Sequence, residues 1–331
     1  MKIHSNYLKW RIKTIKKRRT AFFLVSIVCV TLLFIFYHNK PNYTSTFFSM
    51  DTAVSLDLSS DLTQQTKKII MDFSEKCDCM NEKSELSALN QKKDMICSKE
   101  LSEAIRDTIV LNQKYGASVD ISSGKLNLLW KNAIDTGILP EKDNIIMCQK
   151  KTGFENICIK ENHITLKNDI SIDMGAVAKG RILDVIHNFY RHNNIKRAVV
   201  SFGSSALLYS TDENEKFKVA VKADADSIAG TVECSSCFVS SSGDYERTAE
   251  IDGKQYHHII DLSTGYPSET GLRAVSVFCH NGLMSDFLST LIFIDGEKNI
   301  EKYLDSDEFE VVAVSRNGVI YHSDSLDFKE N

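Results

Sequence analysis

Hydrophobic positions recur along this chain with two periods, and each period predicts an element. Val54, Leu56 and Leu58 alternate with polar neighbours, the pattern of a half-buried strand. Over residues 61–80 the period lengthens: Leu62, Ile69, Ile70, Phe73 and Cys77 form a helical stripe behind Ser59, Ser60 and Asp61. Leu101, Ala104, Ile105 and Ile109 predict a second helix over 100–115. A third follows Asp173 and runs to Tyr190, with Val177, Ile182, Val185, Ile186 and Phe189 on its buried side. Strands then dominate, at Ala198–Phe202, Phe217–Val221, Cys237–Ser241, Tyr256–Ile260 and Ala274–Cys279. A helix over Gly282–Ile294 and a strand pair, Glu310–Val314 and Gly318–His322, close the chain. Strands and helices without regular βαβ alternation predict an α+β fold.

Residues 21–37, AFFLVSIVCVTLLFIFY, follow neither period and carry no charge. With Thr20 the uncharged run has 18 residues, near the lower limit for a bilayer-spanning helix. KTIKKRR precedes it, so the positive-inside rule places the N-terminus in the cytoplasm and the bulk of the chain outside. A cleaved signal peptide would need a small-x-small site close behind the run, and none follows. A lipobox would need a small residue before Cys29, where Val28 stands. An uncleaved anchor fits best. The organisation expected is a basic cytoplasmic tail at 1–20, a single-pass membrane anchor at 21–37, a tether at 38–46 and an extracytoplasmic domain at 47–331.

Charge sharpens this division. The chain has 331 residues, 43% hydrophobic, which excludes a disordered polymer and a disulfide-stapled miniprotein. Its formal charge of −4 comes from 40 Lys+Arg and 44 Asp+Glu. Nine of the basic residues and no acidic ones lie in residues 1–45, leaving 31 against 44, a net of −13, for the remainder. An acidic body argues against nucleic acid as a partner. Of nine cysteines, eight lie beyond the anchor, and their spacings form no zinc pattern. Cys234-Ser-Ser-Cys237 could be a redox pair; small buried hydrophobes are the favoured reading.

Three segments carry chemistry. In ISIDMGAVAKGRILDVI (170–186), Asp173, Gly175, Lys179 and Gly180 surround a helix start, where unpaired N–H groups and a lysine suit a phosphate; an ordinary capped helix is the plain alternative. In SSSGDYERTAEIDGKQYHHIIDLSTGYP (240–267), Asp244, Glu246, Arg247, His257, His258 and Asp261 crowd around an Asp252-Gly253 hairpin turn. Strand alternation sends His257 and His258 to opposite faces. In SDFLSTLIF (285–293), Asp286, Ser289 and Thr290 share a helical face and supply hard oxygen ligands suited to Mg²⁺. A helix cap by Ser285 or Asp286 is the plain alternative.

Together these blocks resemble one family. DMGAVAKG (173–180), SSSGDYER with HHIIDLSTGYP, and SDFLST resemble the conserved blocks of the ApbE family of FAD:protein FMN transferases. FSMDTAVSLDL (48–58), KSELSALN (83–90) and SVDISSGKLNLLW (118–130) agree with further blocks in order, and the resemblance runs from about residue 47 to the C-terminus. It departs at Asp51, where the family often has Gly, at Leu262 and Lys125, where it has Pro, and at Cys234 and Cys237, where it has Leu and Gly.

The resemblance implies a two-lobed domain of mixed sheet and helices that binds FAD and Mg²⁺ outside the cytoplasmic membrane. It would transfer FMN to a threonine hydroxyl of an acceptor flavoprotein and release AMP. Carried over by position, Asp286, Thr290, Ser289 and the Ala176 carbonyl would hold the metal. Met50, Met80, Ser118, Val119, Asp120, Asp173, Lys179 and Ile260 would contact FAD. The threonine needs a base; His258 is the first choice, His257 the second, with Asp244 or Asp261 orienting the ring. The rivals are a Mg²⁺-dependent FAD pyrophosphatase releasing FMN and AMP, and a flavin-binding protein without catalysis.

Overall fold

The computed structural model describes residues 42–116 and 118–331. Helices are α1 (Thr63–Cys77), α2 (Glu85–Lys92), α3 (Lys99–Tyr115), α4 (Gly124–Thr136), α5 (Lys142–Gln149), α6 (Ala178–His192), α7 (Gly282–Asp295) and the short α8 (Glu301–Leu304). The first nine strands are β1 (Tyr43–Ser49), β2 (Thr52–Leu58), β3 (Asp94–Ile96), β4 (Ile157–Lys160), β5 (His163–Leu166), β6 (Arg197–Ser201), β7 (Ser205–Ser210), β8 (Phe217–Lys222) and β9 (Ile228–Cys234). The others are β10 (Cys237–Gly243), β11 (Thr248–Ile251), β12 (Lys254–His257), β13 (Ile260–Asp261), β14 (Tyr266–Pro267), β15 (Leu272–Cys279), β16 (Phe309–Ser315), β17 (Ile320–His322) and β18 (Asp327–Glu330).

Eight strands in the order β1-β2-β6-β7-β10-β15-β16-β17 make the main sheet. Every neighbouring pair in it is antiparallel, and sheet and helices together give the α+β fold expected. β15 is buried on both faces: Val275 and Val277 face the helices, while Phe278 faces a second sheet of β18-β9-β8. That second core joins Leu208, Val239 and Val312 of the main sheet to Phe217, Val221 and Val232. Residues 43–331 form one unit, which replaces the expected two lobes.

α7 is apolar around most of its circumference because it packs between β10 and β15 on one side and α6 on the other. Phe287, Leu288, Leu291, Ile292 and Phe293 are all buried, each such side chain contributing about 1.5–3 kcal/mol. Its cap is not Ser285 or Asp286: Asn281 accepts from the Met284 N–H at 2.7 Å. Asp184 of α6 takes the Gly282 and Leu283 N–H groups at 2.7 and 2.9 Å. Where α6 crosses α7, Gly180 lies against Gly282, and a Cβ on Gly180 would land on the Gly282 carbonyl. Asp286 is thus held one turn inside a helix with its start already satisfied.

Several expected boundaries shift. α6 starts at Ala178 rather than just after Asp173, because residues 175–177 form a turn in which Val177 and Ala178 N–H donate to Met174 O. The strand expected over Tyr256–Ile260 breaks after His257, and α1 has no side-chain cap from Ser59, Ser60 or Asp61. The tether boundary moves, because Tyr43–Thr46 already pair with β2. The basic tail, the anchor and the first part of the tether lie outside the described residues. No helix among the described residues is long and apolar enough to cross a membrane.

Candidate functional site

The chemistry of all three segments meets at the start of α7. Asp286 is buried, and its two oxygens receive neutral donors. The Gly180 N–H donates to Oδ2 at 2.9 Å and the Ser205 hydroxyl to Oδ1 at 3.1 Å. Lys179 Nζ stands 3.8 Å from Oδ1, too far for a close ion pair, and is half-buried. One turn on, Ser289 and Thr290 donate to the Asp286 carbonyl at 3.0 and 3.4 Å. Ser242 of β10 lies 2.9 Å from Ser289 Oγ and 3.1 Å from Thr290 Oγ1. The result is a cluster of carboxylate, hydroxyls and ammonium on one helix and the strand beside it.

The 244–247 turn covers this group. Burial raises the Glu246 carboxyl above its usual range against the pull of Lys179, Arg247 and Lys222, while Asp286 adds to the rise. Arg247 adopts φ 45° and reaches Asp51 at 3.5 Å. Asp51 and Met50 are the two central residues of the β1–β2 hairpin, with φ 58° and 52°. Asp tolerates this left-handed geometry better than most side chains, which accounts for a non-glycine residue there.

The two histidines differ in what their rings have left to offer. His257 is buried: Nε2–H donates to Ser268 O at 2.9 Å, Nδ1 accepts from the Ile259 N–H at 3.3 Å, and the ring packs edge-on to Phe293. Both nitrogens are committed to backbone, so its geometry is structural. His258 is half-buried, and its Nδ1–H donates to Glu246 O at 3.0 Å. A carbonyl can only accept, so in the neutral ring Nε2 carries the lone pair. Burial first, then Arg247, pushes the His258 pKa down to about 3.

The proposed orienting carboxylates do not reach His258. Asp244 pairs with Arg316 at 3.1 Å, and Asp261 accepts from Ser263 N–H and Oγ in a local turn. The Glu246 carbonyl orients the ring instead. A second group gathers at Asp173: Oδ1 accepts from Gly175 N–H at 2.8 Å and Oδ2 from Asn127 Nδ2 at 3.0 Å. Asp173 also raises the pKa of nearby Cys79, after burial, and the adjacent Met80 is an exposed apolar side chain at this place.

Four expected FAD contacts have side chains engaged within the protein. Ser118 donates to Asp295 at the far end of α7, about 14 Å along the helix from Asp286. Val119 is in the core, and its carbonyl accepts from Asn112. Asp120 is buried, accepts from the Ser122 N–H at 2.8 Å, and is pushed up by burial. Ile260 packs with Trp130, Ile145 and Ile251. Ser205 and Ser242 are the residues that sequence reasoning missed; only the run of serines at 240–242 hinted at them.

The donor set fits a hard divalent cation. Gly180 N–H turns to Asp286 rather than back to Ala176, which leaves the Ala176 carbonyl without a backbone donor among the described residues. That carbonyl, Asp286, Ser289 and Thr290 are all oxygen donors. No trio of His, Cys, Asp or Glu placed to hold a metal occurs among the described residues. A site with one carboxylate suits Mg²⁺, which keeps waters and takes further oxygens from substrate phosphates.

Comparison with known proteins agrees with this reading of the fold. The chain is 26% identical over 208 residues to the FAD:protein FMN transferase of Klebsiella pneumoniae, covering 61% of this chain and 64% of that protein, just under two thirds of its length. It is 24% identical over 268 residues to the protein of the same name from Vibrio cholerae, covering 77% of this chain and 80% of the relative. The solved structure of the ApbE protein from Thermotoga maritima superposes with a TM-score of 0.79 at 24% identity, covering 86% of this chain and 97% of that one. The flavin transferase ApbE from Vibrio cholerae gives a TM-score of 0.74 at 20% identity, covering 86% and 98%. The family model described as the ApbE family matches residues 50–314, a span that contains Lys179, His258, Asp286 and Thr290, and the chain belongs to the ApbE family.

Proposed function

We propose that the chain is a Mg²⁺-dependent FAD:protein FMN transferase, held at the cell membrane by residues 21–37 with its catalytic domain outside the cytoplasm. The observation that supports this most is the start of α7. There Asp286 is held by neutral donors with Lys179 at 3.8 Å, and His258, which feels the Lys179 charge, keeps Nε2 unprotonated in the neutral ring. The named relatives and the family match support the same activity.

In this reading FAD is the substrate and a threonine hydroxyl of an acceptor flavoprotein is the nucleophile. The Thr Oγ attacks the phosphorus of the FMN half, the bond to the bridging oxygen breaks, and AMP leaves. The hydroxyl proton passes to His258 Nε2. Lys179 balances charge on the phosphoryl oxygens. Asp286, Ser289, Thr290 and the Ala176 carbonyl would hold the metal, which supplies Lewis-acid stabilisation of the pyrophosphate. Arg247 and Asp51 brace the covering turn. The net acidity of the body makes the positive groups at this site matter more.

The test is incubation with FAD, Mg²⁺ and a candidate acceptor, read by intact mass. The expected result is an acceptor heavier by FMN less water, lost when its threonine becomes alanine. Accumulation of FMN and AMP with an unmodified acceptor would establish the pyrophosphatase instead, and bound, unchanged FAD would establish a carrier.

A further inference from the structure

The Cys-x-x-Cys of residues 234–237 lies outside this site. Cys234 ends β9 and Cys237 begins β10, so just two residues, Ser235 and Ser236, make this crossing from the three-stranded sheet to the main sheet. The sulfurs are 3.5 Å apart, with the Cys237 thiol donating toward Cys234 Sγ. Both side chains are half-buried, whereas Cys77, Cys97 and Cys279 are buried. The favoured expectation of small buried hydrophobes holds for those three, while Cys234 and Cys237 are partly buried against a core.

The corner is fixed from both sides. Ser236 Oγ accepts from the Ser210 N–H at 2.8 Å and donates to Ser210 O at 3.2 Å. Lys216 Nζ donates to Ser235 Oγ at 2.8 Å. Cys279 pairs in register with Phe238, next to Cys237, yet it faces the other way. Its thiol donates to Asn281 O and it belongs to the core on the helix side. Cys234 and Cys237 pack against the core between the two sheets. Each of the two therefore has the other as its thiol partner.

We propose that Cys234 and Cys237 are a dithiol–disulfide site, which takes a disulfide oxidant of a small thiol or a protein and closes a bond across the two-residue corner. The roles of the two sulfurs differ. The Cys237 S–H, and more weakly Lys216, hold the Cys234 thiol below its ordinary pKa, while Cys237 is raised. Cys234, as thiolate, attacks one sulfur of the oxidant. The oxidant's S–S bond breaks, one thiolate leaves, and a mixed disulfide forms on Cys234. Cys237 then gives its proton to the departed thiolate and attacks Cys234 Sγ, releasing the second thiolate. Two protein thiols lose two electrons, and one disulfide becomes two thiols. The bond closes at the end of β10 opposite to Ser242.

The test uses the full chain and oxidised glutathione as the probe. After incubation the protein is denatured, alkylated and mapped by peptide mass. The expected result is that the peptide holding both cysteines loses two hydrogens and takes no alkyl label, while the other cysteines stay labelled. In Cys237→Ser the same treatment stops at a glutathione adduct on Cys234. Full labelling of both thiols in the wild-type chain overturns the proposal, as does a Cys237→Ser chain in which Cys234 stays free of adduct.

Discussion

The two ends of α7 each carry an aspartate, and they are put to opposite uses. Asp295 at the C-terminal end is saturated: Ser118 donates at 3.2 Å, Lys302 at 2.6 Å, and the Tyr303 hydroxyl also donates to it. Its cation is in full ion-pair contact, so that end ties α7 to the chain around it and offers nothing further. Asp286 at the other end receives an N–H and a hydroxyl, while Lys179 stops at 3.8 Å. Neutral donors fix the carboxylate without consuming the positive charge. A buried charge is tolerated in a fold when it is hydrogen-bonded; it remains useful for chemistry when its counter-ion is left free.

This contrast can be broken most sharply at His258. His258→Ala should lower single-turnover FMN transfer on the order of 10³-fold with FAD binding retained. A rate within a few-fold of wild type would remove it as the base. Lys179→Met should cost about 10²-fold in the same assay, the scale of one lost electrostatic donor. An unchanged rate would mean that the lysine only decorates the helix start. The corresponding change at the other end, Lys302→Met, should leave transfer unaltered.

Smaller effects test the scaffold. Gly180→Ala places a methyl on the Gly282 backbone and should lower unfolding free energy by about 1–3 kcal/mol, despite alanine's better helix propensity. Denaturant unfolding checks this, and a stability gain would mean the crossing has room.

The pH dependence follows from two groups of opposite sign. His258 titrates near 3 when folded and near 6.5 when unfolded, so the unfolded chain binds more protons between those values and stability falls as pH drops through that window. Burial pushes Asp184 up to about 6, so the folded chain binds more protons between about 4 and 6, and its contribution moves the other way. Unfolding curves across this range should therefore show acid sensitivity relieved in His258→Gln and accentuated in Asp184→Asn. The acid limb of the transfer rate should likewise lie well below pH 6.5.

Much of this was legible in sequence, for identifiable reasons. β2, α1 and α3 bury residues at a regular period, and periodicity found them; α7 is buried nearly all round and was legible as an apolar run. α5 did not yield because only Ile145 of its eight residues is buried. α4 buries Leu126, Trp130 and Ala133 at helical spacing. Its signal was present, and was read as a block of a motif rather than as a helix. Lys179, Asp286 and Thr290 were legible because their motifs are local. Ser205 was not, since it meets Asp286 across 81 positions and a lone serine has no period. The division of labour between His257 and His258 was half legible: alternation separated their faces. Only the carbonyls of Ser268 and Glu246 show which ring nitrogen is left over.

The most direct test compares the two aspartates. Asp286→Asn and Asp295→Asn remove the same charge from opposite ends of one helix, and single-turnover transfer to an acceptor threonine is measured for both. The expected result is near-complete loss of transfer in Asp286→Asn and a wild-type rate, with reduced stability, in Asp295→Asn. Equal rates in the two variants would contradict the assignment of chemistry to the start of α7.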